Sequence, residues 1–402
     1  MKTVLIAWEL GSGLGHVMRA SAFAEQFAQR GFRVVVCLRE LADCAVARWP
    51  QDISLLQSPM ASRLPGLTAP ANYGEILFAS GYHDGNQLSA LIASWSHLIE
   101  LVDPAVIITD HAPTAHLAAR LCGVAVVRIG TGFFAPPPQS PTPRFRTWHA
   151  VDHERMAAAE ARVLQTVNEM QKLFAEPLAT SLSAALVPDL DLIAGWPELD
   201  CYAHYRPQGS VTYIGNERIV AQSAPPSPPA NGHGKKRIAA YLKGGYSALE
   251  PVLRALGSGY STIAYVTSLH QEMRGRWSSD SLWFSPEPLN MIALAQSCDL
   301  LVCHAGAGTA PLFLEAGKPV LLLPYQAEQR TNADKIVATG AGLSIDESLV
   351  EASFATQLGH LTAVPDFTDA AQVLAQRWSG SADAVATATA EIVRFLDTRG
   401  TD

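Results

Sequence analysis

The sequence predicts an α/β chain built as two doubly wound, parallel-sheet domains facing each other across a cleft. Three observations carry this. Short apolar runs alternate with helix-period segments in both halves, a Pro-rich stretch near residue 225 interrupts them, and the pattern restarts beyond it. The length of 402 residues fits two to three domains of about 150 residues each. Hydrophobic residues make up 48% and charged residues only 16%, against roughly 25% charged in an ordinary globular protein. That supplies apolar material for two cores and excludes a disordered chain. Lys and Arg number 29 and Asp and Glu 37, a net charge of −8, which argues against a general nucleic-acid binder.

The elements follow in order. Residues 3–8 are an apolar strand, and Gly11-Ser-Gly13-Leu-Gly15 is a turn. Residues 16–29 place Val17, Ala20, Phe23, Ala24 and Phe27 on one helical face, and Gly31 stops that helix. Further strands are expected at 32–38, 53–56, 105–109, 124–129, 191–194 and 211–214, with helices at 87–102, 114–121 and 153–173. The run Ala224-Pro-Pro-Ser-Pro-Pro is incompatible with a regular element and reads as a linker. Beyond it come strands at 237–242, 262–267, 282–284, 300–303 and 320–323, and helices at 248–256, 290–297, 309–316 and 328–339. The expected organisation is an N-terminal domain over 1–220, a linker over 221–236 and a C-terminal domain over 237–378. The tail 379–402, with a helix at 382–396 capped by Ser381, is expected to return to the first domain.

The six cysteines form no Cys-x-x-Cys pair and several lie in apolar runs, which points to reduced thiols in a cytoplasmic protein. No cleavage signal follows the first residues, and no stretch is long and apolar enough to span a membrane. His111 and His116 lack a metal-ligand spacing, so no metal is expected.

Chemistry concentrates where strands end. Leu300-Leu-Val-Cys-His304 is an apolar strand running into Ala305-Gly306-Ala307-Gly308-Thr309, a small-residue loop that opens a helix. Such a loop admits close backbone approach, and its free N–H groups suit a diphosphate. A glycine-rich turn with a structural His fits the segment equally well. Downstream, Glu328-Gln329 precede Asn332-Ala333, and a carboxylate beside a carboxamide can hold vicinal sugar hydroxyls.

Together these segments resemble the donor-binding signature of GT-B-fold nucleotide-sugar glycosyltransferases, the superfamily of UDP-glycosyl, UDP-glucuronosyl and antibiotic glycosyltransferases. The matching residues are His304, Gly306, Gly308, Thr309, Gly317-Lys-Pro319, Pro324 and Glu328-Gln329-Arg-Thr-Asn332-Ala333. The resemblance implies two Rossmann-like domains. It also implies that His304 and the N–H groups from Gly306 through Ala307 and Gly308 to Thr309 hold the nucleotide diphosphate, with Thr309 capping, while Glu328 and Gln329 hold the sugar. Lys243-Gly244-Gly-Tyr-Ser247 resembles a further diphosphate loop, although a plain strand–helix turn fits as well. In the family register the base contact falls near Glu287, and Trp283 and Phe284 are either base-stacking or core. Position 312, where the family often carries a ribose-binding Glu, is Leu, which leaves a dTDP-sugar open beside a UDP-sugar.

The first domain adds a second match. Gly11-Ser-Gly13-Leu-Gly15-His16-Val-Met-Arg19 resembles the start of the same superfamily, with Gly13 and Gly15 on the donor side. The resemblance implies that His16 is the general base and that Asp110, ending Asp103-Pro-Ala-Val-Ile-Ile-Thr-Asp110, orients it. The implied reaction is an inverting, metal-independent transfer from a nucleotide sugar to an acceptor hydroxyl, with no further cofactor. Tyr82, His83, Phe133 and Phe134 are candidate acceptor contacts. The same loop also resembles a dinucleotide fingerprint, so an oxidoreductase fits the first 40 residues, but it leaves the stretch from His304 to Ala333 unexplained. A non-catalytic GT-B-like activator and a nucleotide-sugar epimerase remain alternatives.

Overall fold

The computed structural model describes residues 1–61, 69–219, 235–380 and 383–399. The expected linker, apart from its last two residues, and the expected Ser381 cap lie outside the described residues. The chain divides into one unit of Met1–Glu217 with the C-terminal helix Ala384–Arg399, and a second unit of Arg218–Ser381.

The first unit holds a sheet of β1 (Thr3–Trp8), β2 (Arg33–Leu38), β3 (Ser54–Gln57), β4 (Val106–Asp110), β5 (Ala125–Gly130), β6 (Leu190–Ala194) and β7 (Thr212–Gly215). Their spatial order is β3-β2-β1-β4-β5-β6-β7, and each ladder is parallel. The order reverses direction between β1 and β4, and ligands of open α/β sheets bind beyond the strand C-termini at such a switch point. Both strands are buried along their whole length, β1 being apolar after Thr3 and β4 apolar up to Thr109 and Asp110 at its end. The C-terminal helix packs on the helix Leu14–Gln29 and on β6 and β7.

The second unit holds β8 (Arg237–Lys243), β9 (Ser261–Thr267), β10 (Leu282–Phe284), β11 (Leu300–Cys303), β12 (Val320–Leu322) and β13 (Gly342–Ser344). Their order is β10-β9-β8-β11-β12-β13, again parallel, with the switch point between β8 and β11. The strands expected from the sequence lie within one residue of those observed. The sequence reading missed β13, whose three residues offer no apolar run, and the helices Gln271–Trp277, Val350–Ala363 and Asp366–Arg377. The second of these was readable: Val350, Phe354, Leu358 and Leu361 form a buried stripe at helical spacing. Among the described residues no helix is long and apolar enough to cross a membrane.

A buried polar chain sits just past β1. Glu9 is 2% exposed and accepts hydrogen bonds from the Thr114 N–H at 2.9 Å and from the Thr114 hydroxyl, which in turn lies 2.8 Å from the Tyr82 hydroxyl. This corrects the expectation for Tyr82. It is fully buried, with its hydroxyl engaged inside the core, because the short helix Tyr73–Leu77 and the turn after it fold the ring inward. It is not a surface for an acceptor. Neighbouring His83 is also used locally: its Nδ1 donates to the Phe78 carbonyl at 3.0 Å and its ring lies against Phe78.

Burial pushes the Glu9 carboxyl from 4.5 up to about 7, against the pull of its Thr114 bonds. The folded chain therefore holds a proton that the unfolded chain releases across that interval. Stability falls as pH rises through it, by on the order of 3 kcal/mol. Glu9→Gln keeps the shape and removes the titration. Relative to the parent chain, the variant is expected to gain stability from pH 5 to pH 8 in denaturant melts. An identical pH slope in the two proteins refutes the assignment.

Candidate functional site

The first-unit switch point gathers a catalytic-looking group. The turn after β1 is made by Gly11 and Gly13, both at positive φ (+85° and +114°), a conformation that favours glycine. It delivers the chain into the helix Leu14–Gln29, with His16 in the first turn and Arg19 three residues on, on the same face. On the neighbouring strand Asp110 is the register partner of Trp8, so the sheet itself sets the carboxylate beside the helix start. His16 Nδ1 lies 2.7 Å from Asp110 Oδ2, and both side chains are buried. The Trp8 ring stacks on the His16 ring, with centroids 4.9 Å apart and planes 14° apart.

Arg19 completes the group. Its Nη1 donates to Asp110 Oδ1 at 3.0 Å and Oδ2 at 2.9 Å, and its Nε donates to Glu217 Oε1 at 2.5 Å. Burial raises the pKa of Asp110, but Arg19 and then His16 outweigh it and hold the carboxyl well below the usual carboxylate range. Asp110 is thus a fixed anion, and an anion on Nδ1 places the neutral ring's proton there, leaving Nε2 as the accepting nitrogen. A Cβ on Gly11 would stand 2.9 Å from that Nε2, and one on Gly130 would stand 3.2 Å from Asp110 Oδ1. Glycine at both positions keeps room for the pair.

Phe134, an expected acceptor contact, does reach this group. Its ring lies 4.0 Å from that of His111 and 5.6 Å from that of His16. Phe133 turns away, packing against Phe145. His111 adopts a left-handed backbone (φ 47°), and its carbonyl accepts from Leu10 N–H at 2.9 Å, tying the two switch-point loops together. Sequence reasoning missed Arg19 and Glu217 as site residues. The spacing from His16 to Arg19 was a usable signal, whereas Glu217 lies 198 residues from Arg19 and gave none.

At the second switch point the structure revises several roles. His304 Nδ1 lies 2.7 Å from the Leu323 carbonyl, and Nε2 lies 3.0 Å from the Lys243 N–H. A carbonyl only accepts and an N–H only donates, so the proton is on Nδ1 and Nε2 is an acceptor. Burial lowers the ring's pKa, which agrees with a neutral imidazole. His304 therefore ties together the C-terminal ends of β8, β11 and β12, and neither nitrogen is left to donate to a diphosphate. Nor does Thr309 cap the helix: Gly308 is the N-cap and Thr309 the first helical residue. Ala305 is left-handed (φ 58°), and its carbonyl accepts from Asn332 Nδ2 at 3.1 Å. Asn332 of the Glu-Gln-x-x-Asn run thereby holds the loop in place.

The remaining expected donor residues fall around this loop in different states. Gly306 and Gly308 are at negative φ, and a Cβ on either would meet nothing within 4 Å. Nor would a Cβ on Gly13 or Gly15. Gly244 is different: its Cβ would lie 2.6 Å from the Thr267 carbonyl, so close backbone packing already accounts for that glycine. Lys243 extends its ammonium over the Tyr325 ring at 5.4 Å, and the Ser247 hydroxyl donates to Glu347. Gln329 Oε1 accepts from the Tyr325 N–H at 3.1 Å, and Glu328 is half-buried in the first turn of the helix Ala327–Ala338. Glu287 is exposed, with its backbone fixed by the Ser285 hydroxyl. Trp283 is exposed, whereas Phe284 is core. Leu312 is buried, and the nearby Glu315 pairs with Arg218 at 3.4 Å.

Residues 268–384 match the glycosyltransferase family 28 C-terminal domain. The UDP-N-acetylglucosamine–N-acetylmuramyl-(pentapeptide) pyrophosphoryl-undecaprenol N-acetylglucosamine transferase of Chlorobium limicola is 37% identical over 84 residues, 20% of this chain and 23% of that protein. The match thus spans under a quarter of that relative's length. Among solved structures, the spinosyn rhamnosyltransferase SpnG has a TM-score of 0.67 at 17% identity, covering 99% of this chain and 100% of that one. The glycosyltransferase of kitacinnamycin has a TM-score of 0.71 at 16% identity, covering 98% of both chains. The fold is GT-B, as in those two solved glycosyltransferases. The stretch that resembles the family 28 C-terminal domain falls in the second unit apart from its last three residues.

Proposed function

We propose that this protein transfers a sugar from a nucleoside diphosphate to an acceptor hydroxyl, with inversion and without a metal. The observation that carries the reading is the buried His16–Asp110 pair at the end of β1 and β4. An acceptor hydroxyl gives its proton to His16 Nε2, and its oxygen forms the new bond to the sugar's anomeric carbon. The bond from that carbon to the diphosphate breaks with its electron pair, so the nucleoside diphosphate leaves as the anion. Asp110 stabilises the imidazolium that results. Fixed backbone N–H groups around Gly306 and Gly308 are suited to the departing charge, which needs no basic protein. The space left over both glycines supports this, since neither φ nor packing inside the protein calls for glycine there. Leu312, whose side chain offers no hydrogen-bonding atom, favours a deoxyribose donor, and SpnG has been solved with thymidine diphosphate. The six cysteines are free thiols, in keeping with a cytoplasmic setting.

The test is a melt with dTDP and UDP followed by a donor panel. At about a hundredfold excess over Kd, a bound nucleotide adds about 2.7 kcal/mol, a shift of several degrees. dTDP is expected to give the larger shift, and Gly306→Ala to reduce it without lowering the melting temperature of the free protein. Product anomeric configuration read by proton NMR should be inverted. No shift with either nucleotide, or a retained configuration, refutes the proposal.

A further inference from the structure

We propose that Arg19 is a positioning residue for the His16–Asp110 pair: it fixes the Asp110 carboxylate and, through it, weakens the grip of His16 on a proton. The proposal rests on the base reading of His16 given above. One guanidinium nitrogen spans both Asp110 oxygens, at 3.0 and 2.9 Å, while Nε reaches Glu217 at 2.5 Å. Side-chain exposures are 9% for Arg19, 4% for Asp110 and 6% for Glu217, so water screens these charges poorly. Oδ2 is shared between Arg19 and His16, and Oδ1 is held by Arg19 against the Gly130 backbone. The carboxylate is therefore held against rotation away from Nδ1.

The electrostatic consequence follows from the count of charges. Among the described residues of the first unit, the titratable and charged groups gathered around His16 are Asp110 and His111 from the β4 end, Arg19 from its own helix and Glu217 from beyond β7. Trp8, Phe134 and Gly11 supply the uncharged walls. The Asp110–Arg19–Glu217 group sums to −1. Without Arg19 it would be −2, and a carboxylate at 2.7 Å with no counter-charge would hold a proton on the imidazole. A base that stays protonated accepts nothing. Neutralising Glu217 acts in the opposite sense and brings the group to zero.

The experiment follows the His16 ring by long-range proton–nitrogen NMR in histidine-labelled protein, with His16→Gln used to assign the signal. Arg19→Met is expected to raise the ring's titration midpoint by about one pH unit or more, and Glu217→Gln to lower it. Arg19→Lys should keep the midpoint near that of the parent chain while lowering kcat, because it retains the charge but not the two-oxygen grip. In transfer assays the acid limb of kcat/KM should move the same way as the midpoint. If Arg19→Met does not fold, Glu217→Gln alone decides. A midpoint unmoved or raised in Glu217→Gln, or unmoved or lowered in a folded Arg19→Met protein, overturns the proposal. Full transfer by His16→Gln instead overturns the base reading and leaves the titration result standing.

Discussion

His16→Ala is expected to lower kcat by about 10²–10⁴-fold while leaving the nucleotide-induced rise in melting temperature intact. The range is the contribution of a positioned proton acceptor, and His16 Nε2 lies beside Gly11, where an added Cβ would stand 2.9 Å from it and 3.2 Å from His111 Nδ1. Folding should survive, because Asp110 keeps both bonds from Arg19 when it loses His16. The substitution thus separates the two halves of the proposed mechanism. In that mechanism, proton removal is assigned to the β1–β4 switch point and nucleotide binding to the loop after β11. If the variant keeps more than a tenth of its turnover, His16 is not the base. If it loses turnover and nucleotide binding together, the two functions are not separable in this way.

The sequence was informative wherever a feature is local. The run from Thr3 to Trp8 shows a buried strand by itself, because a parallel strand covered on both faces must be apolar throughout. His16 and Asp110 were legible because each ends such a strand or opens the helix after it. What escaped was set by distant parts of the chain. Arg19 looked like one more residue of a helical motif, and only the fold shows that its partners are Asp110 and Glu217. His304 was singled out, but the partners of its nitrogens are backbone groups of Lys243 and Leu323, which no side-chain pattern can reveal. Tyr82 was misread because His83 and Asp84 beside it are polar. Asp84 is polar for a local reason, as the cap of the helix Gly85–Val102, while the Tyr82 ring two residues earlier is core. Asp103 and Pro104, which open the run that ends at Asp110, have a local reason too. Asp103 takes the left-handed C-cap position (φ 47°), and Pro104 prevents the helix from continuing.

Gly132→Ala is expected to destabilise the first unit by about 3–5 kcal/mol, the range for breaking a buried ion pair. An added Cβ would lie 2.1 Å from Asp200 Oδ1 and 3.2 Å from Arg206 Nη2. Neither side chain has room to yield, since the pair is almost fully buried, at 1% and 5% exposure. Asp200 already accepts from Arg206 Nε at 2.5 Å, the Tyr202 N–H at 2.9 Å and the Tyr213 hydroxyl at 2.7 Å, and Arg206 donates back to the Gly132 carbonyl at 3.2 Å. Moving the carboxylate breaks these bonds in a place where water cannot replace them. The melting temperature should fall by on the order of ten degrees. Activity should fall as well, because the same turn carries Phe134 onto His16 and His111. Gly306→Ala is the matched control, since its added Cβ meets nothing within 4 Å. One glycine is required by the protein's own packing and the other leaves space the protein does not fill. A Gly132→Ala protein as stable as the parent chain would show that Asp200 and Arg206 can rearrange, and that this buried pair does not fix the turn beneath the site.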